Sequence, residues 1–65
     1  MIPVEVGQFR HDTRNKLVYM VCETEDNGKT WKTIVLMGNH RFRPLSKTSW
    51  SAANIEIDEV IDVDS

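Results

Sequence analysis

The sequence predicts an all-β domain, a small five-stranded barrel with one short helical turn, and three observations predict it. The chain has 65 residues, which is room for one domain and no more. Its apolar residues fall in short runs rich in β-branched and aromatic side chains rather than at helical spacing. Tight-turn signals separate those runs, at intervals too short for a sandwich. Closing such a sheet also removes the edges that a short all-β chain otherwise has to protect.

The elements follow in order. Val4 and Val6 alternate, and Phe9 follows after a shift at Gly7-Gln8, which predicts a first strand with a bulge. Asp12-Thr13-Arg14-Asn15 is polar and turn-like. Lys16 to Cys22 reads as a second strand, buried on both faces or nearly so. Glu25-Asp26-Asn27-Gly28 is the clearest local signal, because Asn and Gly tolerate the positive φ of a tight hairpin. The returning strand, Lys29 to Met37, puts Trp31, Thr33 and Val35 on one face and Lys32, Ile34 and Leu36 on the other. After a turn at Gly38-Asn39, His40 to Arg43 reads as a short strand with Phe42 inward, stopped by Pro44. Residues 49–61 carry two signals. Trp50, Ala53, Ile57, Val60 and Ile61 would line one helical face. Against a helix, the acids gather at its end and Ile55, Ile57, Val60, Ile61 and Val63 are β-branched. The reading adopted is one helical turn at Ser46 to Trp50 and a last strand from about Asn54 to Ile61. The domain spans 1–65, with 62–65 expected to be a frayed acidic tail.

Gly7-Gln8-Phe9-Arg10-His11, then Lys16, Tyr19-Met20-Val21, Glu23-Thr24 and Arg43-Pro44-Leu45 ahead of Trp50 form a recurring pattern. It resembles a family of short uncharacterised bacterial proteins with a glycine-x-aromatic-Arg-His motif and a later Arg-Pro-Leu motif. The resemblance covers about residues 7–50. Thr13 to Asn15, the acidic tail and the lack of a tryptophan before Arg-Pro-Leu depart from the family pattern. It implies an SH3-like small barrel, a design found in bacteria and bacteriophages, and it implies no particular activity.

Charge is patterned more sharply than the net value of −2 suggests. Residues 1–28 sum to −2, residues 29–54 carry five bases and no acid, and residues 55–65 carry five acids and no base. Such blocks speak about partners rather than fold. The longest apolar run, Ile34-Val35-Leu36-Met37, is far short of the roughly 20 residues a membrane-spanning helix needs. The first residues lack a signal peptide's basic start and apolar core. A single cysteine, Cys22, excludes an internal disulfide and points to the reducing cytoplasm.

No catalytic, cofactor or metal constellation emerges, so the expectation is a protein that is not an enzyme. His11 and His40 each adjoin an arginine, and Asp12 is next to His11, but neighbours on a strand point to opposite faces, so no carboxylate or cysteine is expected to converge on either. Cys22 lies in an apolar run beside Glu23, an environment that disfavours a thiolate. Ser46, Thr48, Ser49 and Ser51 lack a glycine-flanked nucleophile motif. Gly7, Gly28 and Gly38 are too scattered for a phosphate loop. The acids Asp58, Glu59, Asp62 and Asp64 lack the spacing and glycine of a calcium loop.

Two binding readings remain. In the first, the chain is a bacterial or bacteriophage regulator that contacts a basic surface of a host or partner protein. Its contacts are Glu23, Glu25 and Asp26 at the hairpin tip and Glu56, Asp58 and Glu59 near the end. In the alternative, Lys29, Lys32, Arg41, Arg43 and Lys47, interleaved with Trp31, Phe42 and Trp50, form a groove with stacking platforms for single-stranded nucleic acid. A sequence pI near 5.5 weighs against the alternative. Pairing of an open sheet edge with a second copy would give a homodimer. Exposure of Trp31 and Trp50 separates these readings from a purely structural role.

Overall fold

The strongest turn signal builds the longest hairpin. In the computed structural model, which describes residues 2–61, strands β2 (Leu17–Glu23) and β3 (Thr30–Met37) pair antiparallel. Asn27 and Gly28 between them take φ of 58° and 89°, the left-handed region that Asn and Gly enter most readily. Thr24 and Asp26 lock this tip. The Thr24 hydroxyl donates to the Thr30 carbonyl at 2.7 Å, and Asp26 accepts from the Thr30 N–H and hydroxyl at 2.9 and 2.6 Å.

Strand β1 (Phe9–Asp12) pairs with β2, and β4 (Lys47–Ser51) pairs with β3. A short helix, α1 (Ala52–Glu56), then leads to β5 (Glu59–Ile61), which returns to the free side of β1. The result is one antiparallel sheet in the order β4-β3-β2-β1-β5. It is not closed. β4 and β5 are its two edges.

Period-two burial marks the inner face. Leu17, Tyr19 and Val21 of β2 and Trp31, Thr33 and Val35 of β3 are buried, and Ile55 of α1 is fully so. Val4, Trp50 and Ala52 pack around that core. Trp31 belongs to the core, with its indole N–H donating to the Gly28 carbonyl at 3.1 Å.

Several expectations need correction. The first strand begins at Phe9 rather than Val4, because Val6 and Gly7 turn the chain and Gly7 donates to the Val21 carbonyl at 2.8 Å. β2 is buried on one face, since Val18, Met20 and Cys22 are only half-buried. His40 to Arg43 is not a strand. The Asn39 side-chain oxygen accepts the N–H groups of Arg41 and Phe42 at 2.7 and 2.9 Å, occupying donors that a ladder would use. Phe42 is nonetheless half-buried, edge-on to Trp50. Ser46 to Trp50 is extended rather than helical, because β3 gains a neighbour that sets Trp50 opposite Trp31 and Thr48 opposite Thr33. The helical turn falls later, where the Ser51 hydroxyl accepts from the Asn54 N–H at 3.3 Å. That helix shortens the last strand and delivers Ile55 to the core. The expected tail 62–65 lies outside the described residues.

Candidate functional site

The turn between β1 and β2 organises an open cavity of about 340 Å³. Asp12 ends β1 and folds the turn around its own carboxylate. One oxygen accepts the N–H groups of Arg14 and Asn15 at 3.0 and 3.2 Å, and the other accepts the Asn15 amide at 2.8 Å. Burial opposes ionisation of Asp12, but these bonds and the nearby Arg14 outweigh it and leave its pKa lowered.

Asp58, just beyond α1, approaches from the other side. It accepts from the Tyr19 hydroxyl at 2.5 Å and lies 3.5 Å from the Arg14 guanidinium, which is itself 3.6 Å from Asp12. Burial raises the Asp58 pKa despite the tyrosine bond. Burial, and then the bond to Asp58, push the Tyr19 hydroxyl far up. Trp50 of β4 forms an aromatic wall, with Asn15 and Asn54 at the rim. The Trp50 ring meets Phe42 edge-on at 5.6 Å.

Beneath this cluster lies Arg10, 1% exposed. Its guanidinium makes five hydrogen bonds, to Gln8 and to the carbonyls of Ile2, Pro3, Ile55 and Asp58. Every N–H it has is therefore used. Arg10 ties the N-terminal segment and the end of α1 to β1, holding Asp58 where Tyr19 meets it.

The residues predicted from sequence are dispersed. Glu23 and Glu25 are exposed, at 4.0 and 2.8 Å from Lys32. Asp26 is turned into the hairpin tip, where the bonds from Thr30 lower its pKa to about 2. Glu56 is half-buried on α1, and the Asp58 side chain is only 7% exposed. Glu59 is exposed on β5, 3.6 Å from His11. Asp26 and Asp58 thus serve internal bonds. The other four acids divide between the hairpin tip and the margin formed by α1 and β5.

Among the bases, Lys29, Lys32, Arg41, Arg43 and Lys47 are all exposed. Lys32 and Lys47 line a second cavity of about 410 Å³ across β2, β3 and β4, beside Cys22 and Glu23. Arg41 and Arg43 stand on the β3–β4 loop. Trp50 alternates with Lys47 and Ser49 along β4 and turns to the core side, so the basic face and the half-buried tryptophan lie on opposite sides of the strand. Among the described residues, no group of three or more His, Cys, Asp or Glu is placed to hold a metal ion.

Sequence reasoning missed Arg10, Asp12, Arg14, Asn15, Tyr19 and Asn54 as site residues. Asp12 to Asn15 was legible as a turn, whose Asp-x-Arg-Asn order is suited to an Asx cap. Nothing local announces that Tyr19 and Asp58, thirty-nine positions apart, will meet. The chain matches no family model, no curated protein and no solved structure. No helix among the described residues is long and apolar enough to cross a membrane.

Proposed function

We propose that this chain is a non-enzymatic interaction protein, a small SH3-like barrel that binds a partner protein as a bacterial or bacteriophage regulator in the cytoplasm. The observation that carries the reading is the Trp50 wall: a half-buried tryptophan beside an open, preformed cavity with Arg14, Asn15 and Asn54 around it. An aromatic anchor set among polar groups is the arrangement on which protein contacts concentrate their energy. The barrel part of the reading is supported by the strand order. Consecutive strands meander antiparallel, the fifth returns to the first, and a helical turn joins β4 to β5. The non-enzymatic part is supported by the polar groups of the cavity. Asp12 is spent on its turn, and Tyr19 and Asp58 on each other; Asp12 is lowered and Tyr19 raised away from neutrality, and Asp58, though raised by burial, has its carboxylate held by the Tyr19 hydroxyl.

Affinity capture from a lysate of the source organism tests the reading. One stoichiometric protein, retained after nuclease treatment and lost with Trp50→Ala, is the expected result. Loss on nuclease treatment, together with salt-dependent binding to short oligonucleotides, would establish the single-stranded nucleic-acid reading in its place.

A further inference from the structure

The β3–β4 loop, residues 38–46, places a leucine where the backbone suits it badly. Arg43-Pro44-Leu45-Ser46 forms a turn closed by the Ser46 N–H on the Arg43 carbonyl at 3.1 Å. Leu45 takes its third position with φ of 69°. Proline second and positive φ third define a type II turn, whose third position favours Gly or Asn. A leucine there has its Cβ against the neighbouring carbonyl. Burial would normally offset that strain, yet Leu45 is 72% exposed. The backbone strain is held by the bonds of Leu45 and Ser46 to Val35, while the leucine side chain is left facing solvent on a fixed turn.

The loop is held in shape. Asn39 receives the N–H groups of Arg41 and Phe42, and its own amide donates to the Asn15 carbonyl at 2.7 Å. The Leu45 N–H donates to the Val35 carbonyl at 2.7 Å, and the Ser46 hydroxyl to Arg43 at 2.6 Å. A Cβ on Gly38 would overlap the Phe42 carbonyl oxygen, so the loop also closes tightly on its own base. Such preorganisation lowers the ordering cost of binding. Arg41 and Arg43 are exposed, and neither has an ion-pair partner among the described residues. Met37, 66% exposed, opens the same loop.

We propose that this loop is a docking element, inserting Leu45 into an apolar pocket of a partner protein whose rim carries carboxylates facing Arg41 and Arg43. The inference rests on the protein-binding reading and identifies its partner as acidic, the opposite polarity to one that would meet the acids of the hairpin tip. Charge complementarity supports it, because neither arginine has an ion pair among the described residues to compete with a partner's carboxylates. One exposed leucine offers a pocket an anchor but too little apolar surface for stable membrane insertion.

Leu45→Asn tests the proposal, since asparagine accepts the same backbone conformation and removes the apolar anchor. The melting temperature is expected to hold or to rise by up to about 4 °C. Capture of the partner should fall at least about tenfold. Leu45→Met should retain capture, and Arg43→Glu should lose it. A photo-crosslinker at position 45 should label the partner next to acidic residues, whereas one at position 25 should not. A lower melting temperature for Leu45→Asn, or undiminished capture, overturns the docking role and leaves the protein-binding reading intact. If the wild-type chain captures no protein, or binds phosphatidylglycerol vesicles or nucleic acid instead, both fail.

Discussion

Arg10 is the side chain on which the most distant parts of the molecule depend. It is a buried cation with no carboxylate partner among the described residues, solvated by the carbonyl dipoles of Ile2, Pro3, Ile55 and Asp58. Removing it leaves the Ile55 carbonyl, whose bond is buried, without a donor and takes away the ties to the part-buried carbonyls of Ile2, Pro3 and Asp58. Arg10→Met is expected to cost about 1–3 kcal/mol in urea denaturation, and Arg10→Lys should not rescue it, because an ammonium has fewer donors and no planar fork. Asp26 yields a pH effect of definite sign. Its folded pKa of about 2 lies below the ordinary value of 3.8, so its ionised form favours the folded state. That contribution is fully present above 3.8 and disappears as the pH falls to about 2. Asp26→Asn should flatten this part of an acid titration followed by circular dichroism.

At the scale of elements, β4 and α1 are joined by one residue with two duties. Ser51 ends the ladder opposite Thr30 and caps α1 through its hydroxyl. A helix of five residues is too short to persist alone, so its cap and its contact with the core must hold it. Ser51→Ala is therefore expected to lower stability by about 1 kcal/mol, read as a shifted urea midpoint with unchanged slope. The β2–β3 hairpin needs less help. Its turn residues, its alternation and its Thr24–Asp26–Thr30 bonds agree on one register. The β3–β4 loop is different in kind. Asn39 fixes its shape, and Leu45 remains both strained and exposed.

For the whole molecule, the sheet is covered by very little. Ile55 is the only residue of α1 that is buried, and it is completely so. Small domains have total stabilities near the low end of about 5–15 kcal/mol. Ile55→Ala, costing about 2–5 kcal/mol through lost burial and a cavity, should leave a large unfolded fraction at 37 °C by near-UV circular dichroism. The two sheet edges are protected locally, by Lys47 on β4 and by the brevity of β5 with Glu59. The charge blocks of the sequence are consequently reshaped in space. Lys32 sits among acids of the first block, and Arg14 bridges Asp12 to an acid of the last.

What was legible in the sequence was local. Alternation marked Trp31, Thr33 and Val35 as one face, and all three are buried. Asn27-Gly28 announced the hairpin because only certain residues accept its backbone angles. The class follows from such short-range preferences, whereas the count of five agrees only because β4 takes the place of the strand expected at His40 to Arg43. Residues 49–61 were ambiguous because β-branched residues and helical spacing coexist there, and the ambiguity is resolved by neighbours: β3 needs a partner strand, and the core needs Ile55. The Arg10, Tyr19 and Asp58 cluster joins positions that no local pattern links. Nor does composition reveal that Leu45 will stand exposed at a strained turn. By itself the sequence determined the β2–β3 hairpin and the face it buries, since those depend on each residue's own sterics and hydrogen bonding, but it misplaced the fourth strand and the helical turn. Only the tertiary structure decided which buried polar groups meet, and which side chains were left facing outward, because both depend on burial shared among distant segments.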